Sequence, residues 1–248
     1  MKDLAEVWQL AKADYLKKHG FGDISLKAVL FDMDGVLFDS MPLHASSWRQ
    51  VCQRFGLHIS PDEAYRFEGR TGASTINLLV RREWGRDATP EEVRDIYEEK
   101  SKLFNAAGEA PQMPGAEALL QKVQRDGLTA LVVTGSGQLS LLRRLESNFP
   151  GVFSAEKIIS SKDVVHGKPS PEPYLKGLEK AGVRPWEALV VENAPLGVRA
   201  GVAAGVFTVA LNTGPLPDAA LLNEGANVLF PSMQAFCDAW EAFYASIG

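Results

Sequence analysis

Six short apolar runs, most of them separated by amphipathic segments, are the feature that most restricts the fold of this chain. The runs cover residues 27–32, 128–134, 157–160, 188–192, 206–211 and 227–230. Helical patterns lie between most of them, at residues 115–126, 138–148, 171–181 and 195–204. Strands that alternate with helices indicate a parallel sheet that is covered on both faces and joined by right-handed crossovers. The sequence therefore predicts an α/β protein with a Rossmann-like parallel sheet core.

The alternation is interrupted between the first and second runs, where nearly all of the signal is helical. Helical patterns fill residues 43–55, 61–67, 73–84 and 90–106. Such a block predicts an inserted all-helical cap at residues 41–113, with the catalytic core formed by residues 27–40 and 114–248. Prolines at 42, 111 and 114 restrict the linkers at residues 40–42 and 110–114. Because the insertion follows the first strand directly, we expect it to act as a lid over that sheet edge.

Residues 1–26 are predicted to form an N-terminal helical extension. Leu4, Val7, Trp8, Leu10 and Ala11 fall near one face of a helix over residues 1–20. The segment lacks the continuous apolar stretch of a signal peptide, and no run of about 18 uncharged apolar residues indicates a membrane span. Two widely separated cysteines without metal spacing favour a reducing, cytoplasmic location.

The composition limits the partners of the chain. Its 248 residues are 46% hydrophobic and 23% charged, which is ordinary for a globular protein. The net charge is -5 and there is no lysine or arginine tract, so neither nucleic acid nor an anionic membrane is an expected partner. We expect a monomer that binds a small metabolite, and any phosphate must be held by local donors.

Two carboxylates, Asp32 and Asp34, follow the first apolar run and precede Gly35. A buried strand that is broken by glycine places them at the carboxyl edge of the sheet, where open α/β folds bind ligands. Two acids at this edge require a cation, and one can act as nucleophile or ligand while the other handles protons. An ordinary Asp-Gly turn is the alternative. A calcium-binding EF-hand loop is excluded because Gly35 is fourth in the motif and Leu43 stands where its glutamate would be.

Three later segments also carry polar groups at predicted strand ends. Thr134 begins a Thr-Gly-Ser-Gly stretch whose hydroxyl and amides can approach an anion, or it caps the next helix. Lys168 lies in a proline-rich loop and can contact a phosphoryl oxygen, although an exposed surface lysine is the ordinary alternative. Glu192 and Asn193 offer oxygen ligands to a hard cation, or a helix cap.

Together these residues resemble the haloacid dehalogenase superfamily of phosphotransferases, and the similarity covers nearly everything after Lys27. The four signatures stand in the order of that family: Asp32 to Gly35, Thr134, Lys168 and the acidic site at Glu192. The helical insertion looks like the cap of the β-phosphoglucomutase and sugar-phosphate phosphatase subgroup. The order of the matches makes the resemblance specific.

The resemblance implies a role for each matching position. Asp32 would attack phosphorus to give an aspartyl-phosphate, and Asp34 would protonate the leaving oxygen and later deprotonate the acceptor. Mg²⁺ would be held by Asp32, the backbone oxygen of Asp34 and the pair Glu192 and Asn193. Positive charge from Mg²⁺ and Lys168 offsets the repulsion between an anionic nucleophile and a phosphate. Thr134 would hold the equatorial oxygens, and the further candidate substrate contacts are Gly35, His44, Arg70, Thr71, Gly135 and Ser136.

One position departs from the family pattern. The family usually has aspartate where this chain has Asn193. An amide still offers an oxygen, but the loss of one negative charge is expected to weaken Mg²⁺ binding. A weakly active protein that binds a metabolite therefore stays open as an alternative.

The cap residues bear on the choice between phosphatase and mutase. Gly72 stands where the mutases have a cap arginine, and Gly137-Gln138 replaces a lysine after the second signature. Both absences favour a phosphatase acting on sugar or polyol phosphates. His44 and Trp48 match cap-hinge positions of the mutases and favour β-phosphoglucomutase activity instead. A receiver-type signalling domain is disfavoured because such domains lack both the helical insertion and the Asp-x-Asp-Gly spacing.

Overall fold

A six-stranded parallel sheet forms the core in the computed structural model, which describes residues 4–137 and 141–248 and only the backbone of residues 141 and 142. The strands are β1 (Ala28–Phe31), β2 (Thr129–Val133), β3 (Ile158–Ile159), β4 (Ala188–Glu192), β5 (Phe207–Leu211) and β6 (Val228–Phe230). Their order is β3-β2-β1-β4-β5-β6. The predicted fold class is confirmed, since every pair is parallel. The strand order reverses between β1 and β4, which creates a ligand-binding crevice at their carboxyl ends.

Four helices lie between β1 and β2 in the chain. They are α2 (Met41–Arg54), α3 (Pro61–Arg66), α4 (Gly72–Trp84) and α5 (Pro90–Ala106). Helices α3 and α5 begin at capping boxes in which Ser60 and Thr89 accept backbone N–H groups. Proline follows each of these caps, where its missing N–H has no cost. A separate apolar cluster joins α2, α4 and α5, with Trp48, Val51 and Leu79 among its buried members. The inserted helices therefore have a core of their own.

The remaining helices cover the two faces of the sheet. They are α6 (Ala116–Arg125), α7 (Leu141–Asn148), α8 (Glu172–Ala181), α9 (Pro195–Ala203), α10 (Ala219–Leu222) and α11 (Met233–Ile247). Successive residues of a strand point to opposite faces, so Val29 and Phe31 belong to one apolar cluster and Ala28 and Leu30 to the other. The sequence patterns above do not include α11. The predicted helical segment at 138–140 lies outside the described residues.

The N-terminal helix α1 (Leu4–His19) packs along α11. Its predicted apolar face is wrong at Leu4 and Leu10, which are 64% and 51% exposed, whereas Trp8 of the same face is buried. Trp8 lies edge-on to Phe243, and Tyr15, which is not in the predicted face, is buried with its hydroxyl donating to the Gly205 carbonyl at 2.8 Å. Two aromatic rings seven residues apart bury more surface than the smaller aliphatic side chains, and so they set the helix orientation. Within the described residues, none of the helices is long and apolar enough to cross a membrane.

Candidate active site

Four polar side chains lie where the central strands end. Asp32 directly follows β1, and its backbone N–H continues the sheet ladder to the Val191 carbonyl at 2.9 Å. Thr134 follows β2, Glu192 ends β4, and Lys168 comes from the loop before α8. Because β1 pairs with both β2 and β4, the three strand ends bring Asp32, Thr134 and Glu192 to neighbouring positions on the same edge of the sheet.

Lys168 connects the two carboxylates of the edge. Its Nζ lies 2.6 Å from Asp32 Oδ1 and 2.6 Å from Glu192 Oε1, and it donates to the Val133 carbonyl at 3.0 Å. The residue is only 2% exposed, so the exposed-lysine alternative is excluded. A buried ammonium with three acceptors has a fixed position, and it presents a point charge beside Asp32.

Glu192 is held by further donors besides Lys168. The Tyr174 hydroxyl donates to Oε1 at 2.8 Å, and the backbone N–H groups of Asn193 and Ala194 donate to Oε2 at 2.9 and 3.1 Å. Gly197 packs against this carboxylate so closely that an added Cβ would lie 1.8 Å from Oε1. Glu192 therefore has the predicted place at the sheet edge and also occupies the amides at the start of α9. Its oxygens are already engaged.

Negative charge is in excess at this edge. Burial raises the pKa of Asp32 well above its usual value; Lys168 opposes that shift, and Glu192 and Asp34 add to it. Burial disfavours the charged form of Lys168, but the two carboxylates outweigh it and raise the pKa of the ammonium. Three carboxylates face one lysine here, so an added cation would be electrostatically favoured.

Asp34 lies on a tight loop that turns back over the strand. Gly35 has a φ of 85°, which favours glycine, and an added Cβ would lie 2.0 Å from the Asn193 amide nitrogen. The Ser40 hydroxyl donates to Asp34 Oδ1 at 2.5 Å, and His44 Nε2 lies 3.2 Å from the same oxygen without hydrogen-bond alignment. Burial would raise the pKa of Asp34, but His44 and Ser40 outweigh it and hold that pKa well below its usual range.

A lysine from the cap contacts His44 from the other side. Lys100 Nζ lies 2.7 Å from His44 Nδ1, and the ammonium stands 5.6 Å from the Trp48 ring centre and 4.8 Å from that of Phe104. Burial lowers the pKa of Lys100 to about 8. An ammonium donating to Nδ1 leaves the imidazole proton on Nε2, which faces Asp34. Lys100, His44 and Asp34 thus form a connected row from cap to core.

The cap loop at residues 67–72 rests directly on the sheet edge. An added Cβ on Gly69 would lie 2.9 Å from Lys168 Cδ, and one on Gly135 would lie 3.1 Å from the carbonyl oxygens of Gly69 and Arg70. The Arg70 guanidinium donates to Ser74 Oγ at 3.1 Å. Arg70 also lines the space between the cap and the core loop at Gly135 and Ser136, and its Nε is buried without a hydrogen-bond partner.

Two further candidate contacts from the sequence also form turn or cap hydrogen bonds. Thr71 caps α4 by accepting the Ser74 N–H, and Thr134 Oγ1 accepts the Ser136 N–H at 3.0 Å. Both local interpretations hold in the structure. Thr134 is also buried at the sheet edge, beside the glycine on which the cap loop packs.

A small cavity remains between the cap and the sheet edge. It measures about 40 Å³, and its lining includes Asp34, His44, Glu68, Lys100 and Ser136. One water molecule takes about 30 Å³, whereas ligand pockets measure roughly 300 to 1,000 Å³. The structure is therefore a closed arrangement, and a sugar phosphate needs the cap to move away before it can enter.

The residues at the sheet edge include candidate oxygen ligands for a metal. Asp32 Oδ2 and Asn193 Oδ1 are buried and have no hydrogen-bond partner. Residues 4–137 and 141–248 contain no cluster of three His, Cys, Asp or Glu side chains arranged to hold a metal. Mg²⁺ does not require one, because it commonly takes one or two protein carboxylates and completes its shell with water and substrate phosphate. The two unpartnered oxygens and the excess negative charge fit such an ion.

Sequence reasoning missed Lys100, Glu68 and Tyr174. Each stands in an amphipathic or loop segment with no motif around it, so no spacing signalled it. In the sequence, Lys100 stands among charged residues of a helix and looks exposed. In the structure, α5 packs against α2 and leaves Lys100 only 4% exposed.

Strand-end acids and a buried lysine on a parallel sheet, covered by inserted helices, define a class of capped α/β phosphotransfer enzymes. Residues 29–211 match the haloacid dehalogenase-like hydrolase family. The chain belongs to this family, and it is a phosphohydrolase or a closely related phosphomutase.

Two curated relatives are sugar-phosphate phosphatases. Hexitol phosphatase A of Escherichia coli is 32% identical over 75% of this chain and 83% of its own length. The phosphorylated carbohydrates phosphatase of Thermotoga maritima is 30% identical over 82% of this chain and 94% of its own length. A solved structure named "Putative beta-phosphoglucomutase from Bacteroides vulgatus" is 56% identical, with a TM-score of 0.95 over 98% of this chain and 99% of that one.

Proposed function

We propose that this protein is a magnesium-dependent phosphatase of small sugar or polyol phosphates that acts through an aspartyl-phosphate on Asp32. The observation that carries the proposal is the buried contact of Lys168 with Asp32 at 2.6 Å beneath a helical cap. Two relatives also support the proposal, because they are named as a hexitol phosphatase and a phosphorylated carbohydrates phosphatase. A closing cap suits a small substrate, because it can surround the whole molecule.

In the first half-reaction, a carboxylate oxygen of Asp32 bonds to phosphorus while the bond from phosphorus to the sugar oxygen breaks. Lys168 keeps the Asp32 carboxylate in place and lowers the repulsion that the phosphate meets. The leaving oxygen takes a proton from Asp34. His44 and Ser40 keep the pKa of Asp34 low, so Asp34 must receive a proton as the phosphate approaches. His44 can pass its Nε2 proton to Asp34 while its Nδ1 takes a proton from the Lys100 ammonium, which leaves the imidazole neutral.

In the second half-reaction, water attacks the phosphorus of the aspartyl-phosphate and Asp34 accepts the proton of that water. The bond between Asp32 and phosphorus breaks, and inorganic phosphate leaves. Asp32, Asn193 and the Asp34 backbone oxygen are the groups that would hold Mg²⁺. A bound Mg²⁺ supplies positive charge against the charge of the phosphate.

A β-phosphoglucomutase is the second candidate function. It is favoured by the 56% identical structure with that name and by the row of Lys100, His44 and Asp34. The phosphatase is preferred because Gly72 and the pair Gly137-Gln138 stand where the mutase pattern has two cations. A mutase must hold a bisphosphate intermediate, and each missing cation weakens that hold.

The test is a product analysis with Mg²⁺ and the wild-type protein. One arm measures phosphate release from a panel of hexose, hexitol and pentose phosphates, and the other incubates β-glucose 1-phosphate with traces of the bisphosphate. Free phosphate from the panel supports the phosphatase. Glucose 6-phosphate without free phosphate supports the mutase instead, and the absence of both products with tight metabolite binding would support the weakly active alternative.

A further inference from the structure

Tyr97 of α5 is a cap residue that reaches the core beside the sheet edge, and the proposed reaction gives it no role. Its hydroxyl accepts the backbone N–H of Gly137. Gly137 is the last residue of the phosphate loop, residues 134–137, which follows β2. Tyr97 also lines the small cavity between cap and core together with Gly135 and Ser136. A hydrogen bond from the cap therefore ends on the loop that is expected to hold the phosphate.

The tyrosine ring has room because residue 72 is a glycine. An added Cβ on Gly72 would lie 2.2 Å from Tyr97 Cδ2 and 2.3 Å from Cε2, so the ring rests directly on the backbone of this residue. Any side chain at position 72 would displace the ring. Gly72 stands where the mutase pattern has an arginine, and its missing side chain is what leaves space for Tyr97.

Contacts within the core anchor the phosphate loop as far as Ser136. The Thr134 N–H donates to the Ile159 carbonyl at 2.9 Å, and Thr134 Oγ1 accepts the Ser136 N–H at 3.0 Å. The Ser136 carbonyl accepts the Ser161 N–H at 3.1 Å. The next donor along the loop is the Gly137 N–H, and its acceptor comes from the cap. The loop is therefore anchored by the core at one end and by Tyr97 at the other.

The phosphate loop needs anchors because two of its four residues are glycines. Fixing the backbone of one residue costs about 1 to 2 kcal/mol, and glycine loses more freedom than any other residue. Among the described residues, no group accepts the Gly135 N–H, so this donor is available to a phosphoryl oxygen. Its direction depends on the backbone on both sides of it. A contact that holds Gly137 therefore helps to aim the loop.

We propose that Tyr97 is a positioning residue that completes the phosphate loop when the cap closes: its hydroxyl accepts the Gly137 N–H and so holds the loop amides toward a phosphoryl oxygen. Donors that are in place before charge develops cost no reorganisation during the reaction. Because Tyr97 belongs to the cap and Gly137 to the core, an opening cap breaks this bond. The inference rests on the proposed function, in which the loop binds phosphate.

The experiment compares the wild type with two variants that break the bond differently. Tyr97→Phe removes the hydroxyl and keeps the ring, and Gly72→Ala adds a methyl group that displaces the ring. Tyr244→Phe is the matched control, because Tyr244 lies on α11 and its ring stacks on Trp240. Each protein is measured for hydrogen exchange of the Gly137 amide by NMR in the protein alone. Calorimetry then gives the binding of inorganic phosphate with Mg²⁺, and kcat/KM is determined for sorbitol 6-phosphate and p-nitrophenyl phosphate.

We expect the Gly137 amide to exchange faster in Tyr97→Phe and in Gly72→Ala than in the wild type, because its acceptor is lost or moved. Phosphate affinity and kcat/KM should fall by about 3- to 10-fold, the range for one neutral hydrogen bond. The loss in kcat/KM should be equal for the two substrates, because they share the phosphoryl group and differ only in the leaving group. Tyr244→Phe should leave all of these values unchanged.

Three results would overturn the role of Tyr97. Equal exchange of the Gly137 amide in the wild type and Tyr97→Phe would mean that the bond does not hold the loop, and unchanged phosphate affinity would mean that the loop does not need it. A loss confined to sorbitol 6-phosphate would place Tyr97 against the leaving group instead.

Failure of the proposed function gives a different result. Wild-type protein that binds phosphate and releases none from either substrate would overturn the phosphatase function. The exchange and binding measurements would still decide the role of Tyr97, so the two failures are distinguishable.

Discussion

Lys168 and Asp32 are 136 positions apart in the chain, and their side chains form a buried ion pair of 2.6 Å at the carboxyl edge of the sheet. Neither group is more than 3% exposed. The pair fixes the carboxylate in the place where a phosphate would meet it. The remaining features of the site are arranged around this contact.

Asp32→Asn is expected to remove turnover while the fold persists. An amide is a poor nucleophile, so phosphate release should fall by at least about 1,000-fold. Lys168 keeps Glu192 as its partner, and we therefore expect the melting temperature to change by only a few degrees. Phosphate release and thermal unfolding monitored by circular dichroism check both parts. A variant that retains a tenth of the wild-type rate would contradict the nucleophile assignment.

Lys168→Met should affect both stability and activity. Its loss leaves Asp32 and Glu192 buried side by side without a counter-charge, which is expected to lower the free energy of unfolding by about 3 to 5 kcal/mol. The double variant with Asp32→Asn removes one of the two charges and should recover part of that loss. Urea unfolding of the three proteins measures the effect. No recovery in the double variant would show that the charges are not coupled.

The fold could be read from the sequence because its signals are local. The strands are short apolar runs, and helices α3 and α5 begin at a proline that follows a hydroxyl cap, as at Ser60 and Pro61. The orientation of α1 could not be predicted, because it depends on aromatic packing against α11, a helix more than 200 residues away. Periodicity alone gives an apolar face, and tertiary contacts choose which face is buried.

In the candidate site, too, residues in local motifs could be predicted from the sequence, whereas residues placed by tertiary contacts could not. Asp32 and Lys168 stand in motifs with fixed spacing, and the structure brings them together. Lys100 and Glu68 stand in no motif, and their roles depend on how the cap lies over the core. Asn193 could be singled out only as a departure from a family pattern, and its consequence is still a prediction.

Asn193→Asp is expected to tighten Mg²⁺ binding by about 10-fold, because the number of charged ligands tunes affinity for a hard cation. Asn193 Oδ1 is buried without a partner and packs beside Gly35, so an added charge would face the candidate metal position. Calorimetry with Mg²⁺ measures the change independently of activity. Asn223→Asp adds the same charge at an exposed position and serves as control. Equal affinities in all three proteins would argue against Asn193 as a ligand.

Lys100→Met should change how stability depends on pH. The pKa of Lys100 is about 8 in the folded protein and 10.5 in the reference state, so between these values the unfolded chain binds more protons and wild-type stability rises with pH. Relative to Lys100→Met, the wild type should gain roughly 3 kcal/mol between pH 7 and pH 10.5. Urea unfolding across this pH range measures the difference in the free energy of unfolding between the two proteins. The contributions of titratable groups that behave alike in both proteins cancel in this difference. A constant difference would mean that Lys100 has an ordinary pKa.

Gly197→Ala tests the packing behind Glu192. In an ordinary helix, alanine is about 1 kcal/mol more favourable than glycine. Here the added Cβ would lie 1.8 Å from Glu192 Oε1, inside any allowed contact, so the carboxylate that holds Lys168 must shift. We expect the variant to be destabilised by about 2 kcal/mol and to lose activity, because the shift disturbs the ammonium beside Asp32. The reverse substitution at the exposed last residue of the same helix, Ala203→Gly, is the control and should cost less than about 1 kcal/mol, the difference in a helix interior, without affecting turnover. If Gly197→Ala were as stable and active as the wild type, Glu192 would have room to move, and its tight packing could not be what holds Lys168 against Asp32.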